Sequence, residues 1–220
     1  MGISDRTALV AGATGVVGRT CLRTLLRNPH YSRVIAVTRR GIETEDKKLE
    51  QKIIDFDTLA DVDLGPVDDV YCSLGANMLG SRKQLEIVDR GYPAELAKKS
   101  HEAGAKNFVL VTSVAADKRS SLLYLQVKAQ AEEEVRAVPF DGCYLVRPSF
   151  IVGPPSEGLL RNWLLGTLAQ TLTPVLIGHR RVYRPIRVDE LVDGMIAAAL
   201  KAEPGVHTLH RDQLRELARP

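Results

Sequence analysis

The chain has only three cysteines, Cys21, Cys72 and Cys143. They are odd in number and far apart, so neither a disulfide framework nor a Cys-x-x-Cys pair is available. Each sits in or beside an apolar stretch where a small buried thiol fits, a usage suited to a reducing compartment. No apolar run approaches the roughly 18 residues of a membrane span. The opening residues, Met1-Gly2-Ile3-Ser4-Asp5-Arg6, show no basic leader with a long apolar core, and a cytoplasmic protein with no membrane partner is expected. The 30 Lys and Arg are scattered among 27 acids for a net charge of +3, so no basic block points to nucleic acid. Repeats and low-complexity tracts are missing. So are the G-x-S-x-G elbow of serine hydrolases and the His-Glu-x-x-His of zinc peptidases. His207 and His210 have no acidic or thiol companions nearby, and no metal site is expected.

What remains is ordinary globular composition, 45% hydrophobic and 26% charged over 220 residues, enough for one packed core. Short apolar runs at residues 7–11, 34–37, 70–73, 107–112 and 143–146 read as strands, and residues 53–54 as a further one after a polar loop at 40–52. Between them, helical spacing appears at 15–27, at 82–103 with an interruption near Gly91-Tyr92-Pro93, and at 122–138. The three acids Glu132, Glu133 and Glu134 read as a solvated face of that last helix.

Continuous apolar strands alternating with helices predict an α/β fold, a doubly wound parallel sheet of Rossmann type. Beyond Arg147 the pattern loosens into a loop rich in Pro and Gly. A helix over 159–172, a strand over 175–177, a helix N-capped by Asp189, a strand over 207–209 and a short terminal helix follow. Residues 1–220 are read as one nucleotide-binding domain in which about 149–187 and 202–220 form a small substrate-side lobe. Trp163, Leu164 and Leu165 would close that lobe or a subunit contact.

Three patterns converge on one end of such a sheet. Gly12-Ala13-Thr14-Gly15-Val16-Val17-Gly18 lies between the first strand and first helix. Glycine is needed there for a tight turn, for close approach to a pyrophosphate and for helix–strand packing, while the helix N-terminus offers free N–H groups to the phosphates. At the end of the second strand, Arg39 and Arg40 stand where an NAD site would place an acid, which favours the 2′-phosphate of NADP(H). Tyr124 and Lys128, four apart near the start of a helix, share one face and can point a phenol and an amine into one cleft.

Together with Ser113 ending the fifth strand and Arg147-Pro148-Ser149 after the sixth, these motifs resemble the short-chain dehydrogenase/reductase superfamily in its atypical branch. The stretches Tyr71-Cys72-Ser73-Leu74-Gly75 and 113–128 resemble the Tat-interacting-protein-30-like oxidoreductases and their bacterial relatives, a likeness spanning about residues 7–200. The resemblance implies that Gly12, Thr14, Gly15, Val16, Val17 and Gly18 cradle the pyrophosphate and that Arg39 and Arg40 hold the 2′-phosphate. It implies that Leu74 and Gly75 line the adenosine side, that Asp55 accepts from the adenine amine and that Ile151 touches the nicotinamide. Tyr124 and Lys128 would face the nicotinamide ribose, with Tyr124 exchanging the substrate proton and Ser113 matching the catalytic serine, although the eleven residues between Ser113 and Tyr124 are fewer than the family's interval.

The reaction implied is hydride transfer between NADP(H) and a small carbonyl or alcohol, in a homodimer. Lys128 is expected to pull the Tyr124 phenol down from its ordinary pKa near 10. A redox-sensing or regulatory NADP(H)-binding protein, and an epimerase or isomerase recycling its cofactor, use the same residues and remain alternatives.

Overall fold

The computed structural model describes residues 5–76, 80–153 and 178–219. The helix at 159–172, the strand at 175–177 and Trp163, Leu164 and Leu165 of the substrate-side lobe lie outside the described residues.

Seven parallel strands form the main sheet in the order β3-β2-β1-β4-β5-β6-β9. They are β1 (Arg6–Ala11), β2 (Tyr31–Thr38), β3 (Leu49–Ile53), β4 (Asp69–Cys72), β5 (Asn107–Val111), β6 (Gly142–Val146) and β9 (Gly205–Leu209). The runs read from sequence as fully buried are so because helices cover both faces. Ala8 and Val10 pack into one cluster with Leu22, Leu25, Leu191, Met195 and Leu214, from α1 (Val16–Arg27), α5 (Val188–Lys201) and α6 (Arg211–Leu217). Leu9 and Ala11 face the opposite cluster, with Leu96 and Ala97 of α3 (Tyr92–Glu102) and Ala131 and Val135 of α4 (Leu123–Arg136). Each such side chain, fully withdrawn from water, contributes about 1.5–3 kcal/mol when it is a Leu, Ile or Val.

The chain order reverses between β1 and β4, so β1 and β4 exit side by side at the sheet's carboxyl edge, the position at which open α/β sheets bind ligands. At the opposite edge the buried Asp69 accepts hydrogen bonds from Arg6, Tyr31 and Asn107, each at 2.8 Å or less, and this network anchors β1, β2, β4 and β5 to one another.

Two sequence expectations need correction. The third strand is Leu49–Ile53, most of it inside the stretch read as a polar loop. It is an edge strand, whose polar residues keep partial access to water and find partners; Glu50 pairs with Arg33 and Lys52, and Gln51 bonds the Ile42 backbone. Asp189 is not the cap of α5 but lies in its first turn, with Arg187 at the cap. The strand expected over 207–209 is found as β9, paired at the edge of the main sheet, and Leu214 of α6 is in the core. Of the lobe itself, the described part pairs β7 (Ile151–Val152) in parallel with β8 (Ile186–Arg187).

Candidate functional site

The turn after β1 is shaped by its glycines. Gly12 has φ +88°, the left-handed region, and a Cβ there would lie 2.7 Å from the Ser73 carbonyl oxygen. A Cβ on Gly18 would overlap the Gly12 carbonyl, so α1 is seated directly on the turn. The Gly15 N–H closes the loop onto the Gly12 carbonyl at 3.0 Å. Gly15 then caps α1 without a side-chain acceptor, and the first turn carries no acid. The amides of Val16, Val17 and Gly18 thus open α1 with its positive dipole end, beside the exposed Thr14 and Gly15.

The loop leaving β4 touches this turn and, a few residues later, the helix bearing the phenol and amine. The Ser73 N–H and hydroxyl both donate to the Ala11 carbonyl, at 2.9 and 3.1 Å. Two residues on, a Cβ at Gly75 would stand 3.6 Å from Lys128 Nζ and 3.2 Å from Asp89 Oδ1. Lys128 is buried, with Nζ 5.8 Å from the centre of the Tyr124 ring and 2.8 Å from Asp89 Oδ1. The glycine turn and the Tyr124-Lys128 pair are therefore joined by residues 73–75.

Burial holds the Tyr124 phenol above its ordinary pKa; Lys128 pulls it down and Asp89 pushes it up. The expectation that Lys128 would bring the phenol below its ordinary value is thus reversed, because desolvation outweighs the ammonium.

The other residues singled out by sequence take these places. Arg39 and Arg40 are exposed at the end of β2, where Thr38 accepts the Arg40 N–H at 2.9 Å and so fixes the bend. Asp55 is exposed and spends Oδ1 on the Asp57 N–H that opens a 3-10 turn. Leu74 packs, partly buried, on the core cluster under α3 and α4. Ser113 is partly buried after β5, in a loop tied to the segment after β6 by the bond from the Val114 N–H to the Pro148 carbonyl. Ile151 is partly buried in β7, and a Cβ on the following Gly153 would lie 3.1 Å from Val16 Cγ1, so this segment returns to the glycine turn.

Two acids were missed from sequence. Asp89 lies in a π-helical turn (Leu85–Gly91) ahead of α3, and its only sequence signal is Pro93 four residues on. Glu132 is not on a solvated face: its side chain is 3% exposed, accepting from Thr112 at 2.6 Å and from the Arg147 guanidinium. Its neighbours do reach the surface, Glu133 pairing with Lys118 and Glu134 with Arg90. Removing one partner of a buried pair costs about 3–5 kcal/mol, less where the survivor reaches water. Arg147 keeps 23% of its side chain exposed, so Glu132→Ala is expected to lower unfolding free energy by about 2–3 kcal/mol in a denaturant melt, against under about 0.5 for Glu133→Ala.

A family model described as NAD(P)H-binding matches residues 12–161. The chain belongs to this NAD(P)H-binding family. Among relatives of this NAD(P)H-binding protein, Protein FMP52-1, mitochondrial, of Scheffersomyces stipitis is 31% identical over 74% of this chain and 75% of its own. Protein HTATIP2 of Rattus norvegicus is 29% identical over 74% and 69%. In fold the chain is similar to UDP-glucuronic acid 4-epimerase from Bacillus cereus in complex with NAD, with a TM-score of 0.68 at 14% identity over 93% of this chain and 77% of that one. Bordetella bronchiseptica WbmF in complex with NAD+ gives 0.68 at 13% identity over 98% and 77%. The resemblance read from the motifs is borne out at the level of family and fold. The cytoplasmic placement is not: relatives in Scheffersomyces stipitis, Aspergillus niger and Meyerozyma guilliermondii are named mitochondrial, which overturns it.

Proposed function

We propose that this NAD(P)H-binding protein is an NADP(H)-dependent oxidoreductase acting on a small carbonyl or alcohol. The observation that carries the reading is the loop at 73–75, which contacts the phosphate-type turn at one end and Lys128 at the other. The residues fit a dinucleotide: Gly12 and Gly18 leave no room for side chains, the first-turn amides of α1 are offered to a pyrophosphate, and Gly75 keeps the space beside Lys128 open. When bound, the nicotinamide supplies or accepts the hydride.

The protein's own part is proton transfer and orientation. Tyr124 gives its phenolic proton to the carbonyl oxygen as it gains charge, and Lys128 binds the ribose hydroxyls that place the ring. Ser113 donates to the same oxygen. Ile151 packs beside the nicotinamide, Leu74 and Asp55 line the adenosine end, and Arg39 and Arg40 hold the 2′-phosphate.

A phenol held above its ordinary pKa is a proton donor at neutral pH. Reduction therefore runs at neutral pH, whereas oxidation needs the phenolate, so its kcat/KM is expected to climb with pH through the alkaline range. A profile for oxidation that is flat between neutral pH and pH 9 would contradict this assignment.

The two arginines make a separate prediction. Charge-assisted bonds of about 1.5–3 kcal/mol correspond to roughly 10- to 100-fold in affinity. The double change Arg39→Ser, Arg40→Ser is thus expected to weaken NADPH by that factor in calorimetric titration and to leave NADH within about threefold. The reading as a whole is tested by loss of NADPH absorbance over a panel of aldehydes and ketones. Turnover of at least one class supports it, while NADPH binding without turnover of any would mark a binding module.

A further inference from the structure

Asp89 is an acid with a side-chain exposure of 0%, placed where neither the core nor a helix requires one. Its position follows from Pro93. A proline lacks the N–H that would bond the carbonyl four residues back, and its ring crowds that carbonyl, which here belongs to Asp89. The backbone widens instead, with the Tyr92 N–H bonding Ile87 five residues back.

Among the described residues the two carboxylate oxygens meet different partners. Oδ2 accepts the Ala76 N–H at 2.9 Å. Oδ1 stands 2.8 Å from Lys128 Nζ as an ion pair and has no other hydrogen-bond donor among the described residues. An ammonium carries three N–H groups, so this one pairing leaves others for a further acceptor. The space beside both groups is kept by Gly75, since a Cβ there would press on Oδ1 at 3.2 Å and come into contact with Nζ at 3.6 Å.

We propose that Asp89 is a positioning residue of this site, fixing the Lys128 ammonium between the Tyr124 ring and Gly75 and offsetting its charge where Tyr124 feels it. The proposal rests on the oxidoreductase reading for its meaning in turnover. The geometry explains why so deeply buried an ammonium is tolerated: an uncompensated buried charge is strongly destabilising, and Asp89 supplies the counter-charge while engaging one face of the ammonium. The titratable groups facing the pair are Tyr124 from α4 and Cys72 from β4, whose thiol burial pushes up to about 11. Arg90, next in the π turn, is engaged with Glu134 and Gln130. Asp89 opposes the pull of Lys128 on the phenol, which suits a group that must arrive protonated.

The test is the Tyr124 titration by NMR of ring-labelled tyrosine, assigned with Tyr124→Phe, in the wild type, Asp89→Asn and Asp89→Glu. Asp89→Asn is expected to shift the Tyr124 midpoint down by about 1 unit or more, and Asp89→Glu, which keeps the charge, to restore it towards the wild-type value. If Asp89→Asn does not fold, Asp89→Ala is titrated in its place, with the same expectation. A Tyr124 midpoint unchanged or raised in a folded, charge-removed variant overturns the proposal; a merely structural Asp89 would lower the melting temperature without moving the phenol. NADPH titration of the wild type is run alongside. Absence of binding there sinks the oxidoreductase reading, while the phenol titration still decides the role of Asp89.

Discussion

Tyr124→Phe is expected to leave the NADPH dissociation constant within about twofold of wild type and to lower carbonyl turnover by about 100- to 10,000-fold, the range for a lost general acid. The change removes one oxygen from a partly buried ring. The aromatic body still packs at the start of α4, and Lys128 still has Asp89 beside it, so neither the fold nor the amine loses its support. Only the proton donor goes. Initial rates with and without the phenol, at saturating NADPH, separate this from a packing role: a phenylalanine variant that retains full turnover would remove Tyr124 from the chemistry.

Gly18→Ala is the second large effect. The added methyl would overlap the Gly12 carbonyl, a backbone group fixed by the Gly15 N–H and by the neighbouring Ser73. No side chain can swing aside, so either α1 lifts from the turn or the turn opens. Overpacking of this kind costs about 1–3 kcal/mol, and the shift is directed at the amides that would hold the pyrophosphate. We expect a lower melting temperature together with a fall of more than about 100-fold in NADPH affinity, since several phosphate bonds of about 1.5–3 kcal/mol are lost together. Gly15→Ala is the control. Its Cβ would meet the Gly12 carbonyl at 3.4 Å, an ordinary contact, so most of the stability should survive. Equal stability losses in the two variants would mean that the turn is looser than described.

The contrast between what could and could not be read from the residues has a physical origin. β1, β4, β5 and β6 are buried on both faces, so beyond their first one or two residues their letters are apolar without interruption and the strands are visible. Gly12 and Gly18 stand out because only glycine meets the steric demand at their positions. β3 was hidden because an edge strand tolerates Glu50, Gln51 and Lys52, and a polar pentapeptide looks like a loop.

Single charged letters misled in the same way. Glu132 has the same spelling as its solvated neighbours Glu133 and Glu134, and only the arrival of Arg147 from the end of β6 and Thr112 from the end of β5 reveals it as buried. Asp89 depends on a widened turn and on a helix almost forty residues away. The spacing of Tyr124 and Lys128 was legible, but the direction of the phenol's shift was not, because burial is a property of the assembled fold and here it outweighs the adjacent ammonium.

The central claim is that the glycine turn, the loop at 73–75 and the start of α4 face one crevice that a single dinucleotide spans. Hydrogen–deuterium exchange with and without saturating NADPH tests it most directly. The account predicts slowed exchange in three separate segments at once, around residues 12–19, 73–76 and 122–128. Protection of the turn with no change in the α4 segment, or no protection in any of them at millimolar NADPH, would contradict it.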